Sequence, residues 1–219
     1  MSSDVSALTG GPMRERLTAA AARLVASGGA ATLSVRRVAS EAGTSTMSVY
    51  SQFGSMDALV DAVVDDGFDR LESRFVAIEP TDDPIGDLGR QTAAYVDHAR
   101  ENPELYAVMF GVARVGSHQA VTPDELAVGR AGTLDRVGAT LQRAVEKKRL
   151  REAGGSALAF RWWTIAHGYA MLEGSGYVTR EKGPIRILAP LLIDFVVGEG
   201  CPRRGAEQSI RRALDLPLP

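Results

Sequence analysis

The fold is decided by residues 33–53, which read LSVRRVASEAGTSTMSVYSQF. Two short helices joined through a glycine form a helix-turn-helix when three positions agree. Ala39 is small enough for two helices to cross closely, and Gly43, four residues later, can take the left-handed backbone conformation that ends the first helix. Val49, six residues further on, is placed to point back into a small core. All three positions fit, so the stretch predicts a helix-turn-helix.

The second helix of this motif would leave a polar face exposed. Hydroxyl, amide and phenol groups suit phosphate oxygens and base edges, and the N–H groups at the start of a helix favour a phosphate. The predicted DNA-contacting residues are Ser45, Thr46, Met47, Ser48, Tyr50, Ser51 and Gln52, with Arg36 on the preceding helix. Two alternatives stay open: Tyr50 could only pack its ring, and Arg36 could be a solvated surface charge.

The stretch resembles the TetR family of bacterial repressors. The family's recognition helix ends in a tyrosine followed three residues later by a phenylalanine, and here these residues are Tyr50 and Phe53. A helix led by Ser55 then follows, as the family pattern requires. The resemblance runs from Arg14 to Phe75 and implies that the helix from Ser45 to Gln52 enters the major groove of DNA.

The resemblance extends into the rest of the chain. Asn102–Gly111 looks like a segment that marks a TetR subgroup with a particular ligand-binding domain, and Trp163 followed by His167-Gly matches a second motif of that subgroup. There are also departures, because Thr46 and Met56 stand where the family often has lysine. Each absent lysine removes a phosphate contact, so we expect DNA binding to depend less steeply on salt than in a lysine-rich relative.

Helical periodicity dominates the whole chain. Leu17, Ala20 and Leu24 recur on one face of a helix, and no stretch alternates apolar and polar residues as a half-buried strand would. The predicted fold class is all-α, with an N-terminal three-helix DNA-binding domain and a larger helical ligand-binding and dimerisation domain. The predicted boundaries are a flexible arm over 1–12, the DNA-binding domain over 13–54, the larger domain over 55–200, and a C-terminal tail over 201–219 that is solvated or forms a short helix.

The larger domain offers candidates for a ligand site. A Thr122-Pro-Asp-Glu capping box opens one of its helices, which is predicted to reach about Arg149. Aromatic and methionine side chains at helical spacing could line an apolar cavity or form only the core. The candidates are Phe75, Tyr95, Tyr106, Met109, Phe110, Trp163, His167 and Met171. His167 lies one turn from Trp163, so it could bind a polar group of the ligand or be a satisfied core residue.

Composition narrows the function further. The net charge of −2 divides into +3 over residues 11–53 and −4 over residues 54–219, with Asp4 supplying the last −1, so a mildly basic head precedes an acidic body. The three histidines are scattered, and no catalytic motif or phosphate loop is recognisable, so we expect no metal, no cofactor and no enzymatic activity. The single cysteine, Cys201, excludes an intrachain disulfide framework and suits a reducing cytoplasm. The apolar stretch from Ile185 to Val197 is too short and too polar to span a membrane.

These observations predict a homodimeric transcriptional repressor that binds a palindromic double-stranded DNA operator and is released by a small, largely apolar effector. The resemblance implies that two body helices, 156–173 and 184–197, pack against their symmetry mates. It also implies a bacterial cytoplasmic protein that lies at the nucleoid when bound. The alternative is a constitutive DNA-binding regulator without a functional ligand pocket, and a helical enzyme or carrier with a decorative helix-turn-helix is a more distant one.

Overall fold

The structure is a computed structural model and describes residues 11–113, 115, 131–151 and 155–217. That part of the chain contains ten α-helices and no strand, so the predicted all-α fold class is confirmed. The helices are α1 Gly11–Gly28, α2 Val35–Glu41, α3 Thr46–Phe53, α4 Met56–Val76, α5 Pro84–Glu101, α6 Pro103–Met109, α7 Ala131–Glu146, α8 Gly155–Gly174, α9 Ala189–Gly198 and α10 Arg203–Ala213. A 3₁₀ turn, Ala30–Thr32, follows α1, and a π-helical segment, Pro184–Leu188, leads into α9.

The chain divides into two compact units. The described part of the first comprises residues 11–70, 102–113 and 115, and that of the second comprises residues 71–101, 131–151 and 155–217. The boundary falls inside α4, between Arg70 and Leu71, so this helix belongs to both units. The division by role at residue 54 stays a prediction. The predicted arm lies almost wholly outside the described residues, as does the predicted helix start at Thr122.

The first unit is built around the buried face of α1. Leu17, Ala20 and Ala21 are fully buried there and pack in one cluster with buried residues of the next three helices. The other members of the cluster include Val38, Ala39, Val49, Phe53, Leu59 and Val63. Fully burying a leucine or phenylalanine stabilises a fold by about 1.5–3 kcal/mol, so this small core is enough to fix three short helices.

Helix α6 also belongs to this core, which the sequence did not indicate. Leu105 and Met109 are buried in the same cluster as the α1 residues. Gly67 of α4 allows the close approach, because a Cβ built on it would lie 2.7 Å from the Met109 sulfur. A larger residue at position 67 would therefore require the Met109 side chain to move.

Serine caps begin three of the helices in the first unit. Ser34 accepts from the Arg37 amide of α2, Ser45 accepts from the Ser48 amide of α3 at 3.2 Å, and Ser55 accepts from the Ala58 amide of α4 at 3.1 Å. Gly43 has φ +62°, the left-handed conformation predicted for the turn between α2 and α3. The predicted helix-turn-helix is therefore present, with its caps.

Helix α5 lies at the centre of the second unit, where α7, α8 and α10 all pack on it. Trp162 of α8 is fully buried and donates its indole N–H to the Thr92 hydroxyl of α5 at 2.8 Å. Thr92 in turn donates to the Leu88 carbonyl. The indole N–H is thus satisfied inside the core, which is the condition for burying a tryptophan at little cost.

Of the two alternatives for the C-terminal segment, the structure shows the short helix and not the solvated tail. Ala206 and Ile210 of α10 are fully buried, and a Cβ built on Gly89 of α5 would lie only 2.6 Å from the Ala213 Cβ. Ala206, Ile210 and Ala213 share one face of the helix, but two of them are alanines. Their small side chains give a weak hydrophobic pattern while allowing a close approach to α5. None of the described helices combines the length and apolar character needed to cross a bilayer.

Candidate nucleic-acid interface and ligand site

Helix α3 presents an exposed face that the core of the first unit does not use. Val49 and Phe53 are buried on its inner side, whereas Met47 is 73 % exposed and Tyr50 is 53 % exposed on the other side. Thr46 and the other predicted DNA-contacting residues of this helix are also exposed or half-buried. The short, well-capped helix therefore has a buried inner side and an exposed outer face.

The hydroxyl groups on α3 fall into two classes. Ser48 accepts from the Thr44 hydroxyl at 2.9 Å, and Ser51 donates to the Ser48 carbonyl at 3.0 Å, so both already bond within the motif. Thr46 and Tyr50 extend from the exposed face. Among the hydroxyl groups of α3, these two therefore lie on the exposed face.

Two of the arginines in the first unit donate to main-chain carbonyls. Arg14 donates from Nη1 to the Gln52 carbonyl at 2.8 Å, and its guanidinium lies 4.3 Å from the centre of the Phe53 ring. Arg16 donates from Nη2 to the Ala42 carbonyl at 2.8 Å. The sequence alone showed these arginines only as positive charge near α3, because the carbonyls that they contact are distant in the chain.

Three further arginines complete the positive charge of this region. Arg23 forms an exposed ion pair with Glu41 at 2.9 Å. Arg36 and Arg37 extend from α2 into solvent. The predicted contact residue Arg36 therefore has an exposed neighbour of equal charge.

The second unit brings three predicted ligand residues together through the Tyr95 hydroxyl. Trp163 donates its indole N–H to the Tyr95 oxygen at 2.9 Å, and the same oxygen lies 3.1 Å from Nδ1 of His167. The Tyr95 oxygen can donate its proton to Nδ1 or accept a second hydrogen bond from it, depending on the imidazole tautomer. Burial lowers the pKa of His167, so the neutral form is favoured.

Aromatic rings surround this polar group. Trp162 packs edge-on between Phe75, at 6.3 Å, and Tyr95, at 5.8 Å, while Trp163 and His167 have ring centres 5.3 Å apart. Met171 lies one turn beyond His167 on α8 and is half-buried. The second unit therefore contains five of the eight predicted ligand residues: Phe75, Tyr95, Trp163, His167 and Met171.

The other three predicted ligand residues belong to the first unit. The tilted rings of Tyr106 and Phe110 have centres 4.7 Å apart, Phe110 lies edge-on to Phe68 at 5.5 Å, and Met109 packs against Gly67. Within that unit they are core residues around α4 and α6. The ligand role of all eight residues stays a prediction.

The sequence did not indicate a buried ion pair between α5 and α8. Arg100 donates from Nε and Nη2 to the two Glu173 oxygens at 2.7 and 2.8 Å, and the Tyr169 hydroxyl donates to the same carboxylate at 2.7 Å. Burial raises the pKa of Glu173, but the hydrogen bonds from Arg100 and Tyr169 outweigh it and hold that pKa below its usual value. The one sequence clue is the Tyr169–Glu173 spacing, which places both on one helix face.

Helix α4 is tied to its neighbours at its C-terminal end. Glu72 accepts from Arg136 and from the Thr133 hydroxyl of α7, and Arg74 forms an ion pair with Glu101 of α5. These contacts all lie within the second unit. In the described part of the chain, no group of three acidic, histidine or cysteine side chains could hold a metal ion.

Two protein-family profiles match the chain. Residues 17–63 match the profile described as "Bacterial regulatory proteins, tetR family", and residues 88–195 match "Tetracyclin repressor-like, C-terminal domain". The first covers α1 to α3 and the start of α4, and the second covers the polar group around Tyr95. A search of curated protein sequences found no match.

Solved structures of the same fold agree with these profiles. A protein of unknown function from Rhodococcus sp. RHA1 is 22 % identical with a TM-score of 0.66, over 94 % of this chain and 98 % of its own. RolR in complex with resorcinol is 18 % identical with a TM-score of 0.64, over 94 % and 95 %. A TetR-family transcriptional regulator from Pectobacterium atrosepticum is 20 % identical with a TM-score of 0.61, over 84 % and 89 %.

Proposed function

The chain belongs to the TetR family of bacterial transcriptional regulators, and we propose that it is a homodimeric repressor that a small molecule releases from a palindromic operator. The observation that carries this proposal is the exposed face of α3, held on a capped helix-turn-helix with Met47 and Tyr50 in solvent. Such a regulator acts in the bacterial cytoplasm, at the nucleoid while it is bound.

On DNA, α3 would lie in the major groove. Thr46 can hydrogen-bond a base edge or a phosphate, and Met47 can contact a thymine methyl but cannot hydrogen-bond a base. Tyr50 can donate to a phosphate, and Arg36 and Arg37 of α2 can reach the backbone beside it. Few exposed cations take part, so we expect the affinity to fall only modestly with salt.

Exposed apolar residues of the second unit support the dimer. Phe160 is 55 % exposed, and Leu172 of the same helix and Leu191 of α9 are also exposed. Ile187, in the π-helical segment before α9, adds to them. A two-fold dimer that buries these side chains places two copies of α3 for the two half-sites of a palindrome.

The effector site would lie at the hydrogen-bonded side chains of Tyr95, Trp163 and His167. A neighbour of the same fold holds resorcinol, so this fold can bind a small aromatic molecule. In this chain the surrounding rings favour a largely apolar effector, with Trp163 or His167 contacting its polar group. The effector would act through α4, whose end is tied to α5 and α7, and it can release DNA only if it prefers the conformation that does not bind.

In the decisive experiment, the full chain is mixed with a pool of DNA duplexes of random sequence, and the duplexes that it binds are recovered and sequenced. We expect enrichment of an inverted repeat, and size-exclusion chromatography with light scattering should give a dimer. A Thr46→Ala, Met47→Ala double variant should change the enriched half-site, whereas Ser175→Ala in the second unit should leave it unchanged. If no sequence is enriched over the starting pool, the proposed function is wrong.

The effector is sought by thermal shift against small aromatic and aliphatic compounds, followed by titration of the bound duplex. A compound that stabilises the chain and releases the duplex supports the repressor mechanism. If every stabilising compound leaves operator binding undiminished at saturation, the constitutive regulator is the better description.

A further inference from the structure

We infer that Arg14 and Arg16 are positioning residues of the helix-turn-helix, which hold the C-terminal ends of α2 and α3 and so set the sequence selectivity of α3. We call this pair the arginine clasp. The inference rests on the proposed DNA binding, because selectivity has meaning only at an operator. It concerns residues that need not contact DNA themselves.

The geometry places one arginine on the end of each helix. Arg16 reaches the Ala42 carbonyl, at the C-cap of α2, and Arg14 reaches the Gln52 carbonyl in the last turn of α3. The Arg14 guanidinium also lies on the Phe53 ring, whose burial fixes α3 to the core. Both side chains come from the first turns of α1, so one helix aligns the other two.

The two short helices need such partners. The last carbonyls of any helix lack partners within it and carry partial negative charge, which a cation stabilises. Neither α2 nor α3 has a basic residue in its own last turn. At seven and eight residues, both are also too short to be stable through their own hydrogen bonds. The arginines of α1 supply the charge that these helix ends lack.

The consequence for DNA reading follows from helix dimensions. Side-chain tips lie about 5 Å from a helix axis, so a rotation of about 20° moves them by about 2 Å. A hydrogen bond to one base edge does not survive that displacement. Contacts to the phosphate backbone survive better, because phosphates and cations meet over a wider range of geometry. Loss of the clasp should therefore reduce selectivity more than general affinity for DNA.

The test compares Arg14→Gln and Arg16→Gln with Arg23→Gln. Arg23→Gln is the matched control, because this substitution removes the same charge from the same helix. The Arg23 side chain contacts the Glu41 side chain and not a helix carbonyl. Affinity is measured by fluorescence anisotropy for the duplex selected by the wild-type chain and for a shuffled duplex, over a range of salt. The active protein concentration is set by stoichiometric titration.

For the two clasp variants we compare the affinity for the selected duplex with the affinity for the shuffled duplex. We expect the ratio of these affinities to fall by about tenfold, which corresponds to the free energy of one hydrogen bond to a charged group. The slope of log affinity against log salt concentration should match that of Arg23→Gln. If both affinities fall equally and the slope decreases by about one more than in Arg23→Gln, Arg14 contacts a phosphate directly and the inference is overturned. An unchanged ratio in both variants also overturns it.

Arg14→Lys keeps the charge and one donor, but an ammonium cannot both bond the Gln52 carbonyl and lie flat on Phe53. Its ratio should lie between those of the wild type and Arg14→Gln. If a glutamine variant does not fold, this variant carries the test, and a wild-type ratio would then contradict the clasp.

A measurement without DNA separates this inference from the proposed function. The Gly54 amide donates to the Tyr50 carbonyl at the end of α3. In the free protein, Arg14→Gln should speed hydrogen exchange at Gly54 and Phe53, and Arg23→Gln should not. Equal exchange in the two variants refutes the clasp whatever the DNA selection gives, whereas failed selection with faster exchange refutes only the proposed function.

Discussion

The two units of the molecule hold their polar groups in opposite ways. In the first unit, arginines at the surface donate to main-chain carbonyls and leave one face of α3 in solvent. In the second unit, side chains bond to side chains inside the fold, and the Glu173 side chain is only 3 % exposed against Arg100. We therefore expect polar substitutions in the first unit to alter mainly DNA binding. Polar substitutions in the second unit should alter mainly the free energy of unfolding.

The largest effect is expected from Glu173→Gln, which removes the buried carboxylate that pairs with half-buried Arg100. Breaking a fully buried pair from one side costs about 3–5 kcal/mol, and we expect a loss at or just below the lower end, because Arg100 keeps its ion pair with Asp97 at 3.0 Å. Urea unfolding measures it. Asp194→Asn is the control, since its pair with Arg203 is exposed and should contribute less than about 1 kcal/mol. Equal losses in the two variants would remove the contrast between buried and surface pairs.

The next effect is expected from Tyr95→Phe. Its hydroxyl bonds to both Trp163 and His167, so its removal loses two hydrogen bonds, each of which contributes about 0.5–1.5 kcal/mol. Tyr177→Phe, at a side chain that is 83 % exposed, should leave the free energy of unfolding unchanged. A Tyr95→Phe chain as stable as Tyr177→Phe would show that the hydroxyl group adds nothing to the fold.

A substitution in the first unit should behave differently. Tyr50→Phe removes a hydroxyl group that we expect to donate to a phosphate, so affinity for the selected duplex should fall by about 1–2 kcal/mol per subunit. The free energy of unfolding should not change, because the Tyr50 side chain is half-exposed. Anisotropy titration and urea unfolding give both values. Full affinity for every DNA tested would count against the assigned face of α3.

The smallest effect is a pH dependence of stability. Burial lowers the pKa of His167 in the folded state, so the unfolded state binds the proton more readily. Stability is therefore complete above the unfolded pKa of about 6.5 and falls as the pH drops from there toward the folded pKa. The slope from this group is at most about 1.4 kcal/mol per pH unit. His167→Gln should flatten the profile in that window, and an unchanged profile would assign the slope to another group.

Local patterns were enough to predict the helix-turn-helix. Ser45, Gly43 and Val49 act within a few residues of one another, so their spacing carries the information that the backbone uses. The family profiles and the all-α structure confirm both the predicted family and the fold class.

Long-range contacts were not predictable in the same way. Arg14 meets a carbonyl 38 residues away, and Arg100 meets a carboxylate 73 residues away, and no periodicity marks either pair. Helix α10 was predicted only as one of two alternatives, since Ala206 and Ala213 pack closely through small side chains that give little hydrophobic pattern.

The arginine clasp has a consequence for engineering. Exchange of α3 between related regulators is an obvious way to transplant an operator preference, since six of the eight proposed DNA-contacting residues lie on this helix. In this protein the proposed anchor of that helix, Arg14, lies outside it in α1, and Arg16 of the same helix holds the end of α2. A graft of α3 alone would bring the contacts without their support. A transferable cassette would have to begin at the first turn of α1 and extend through Phe53.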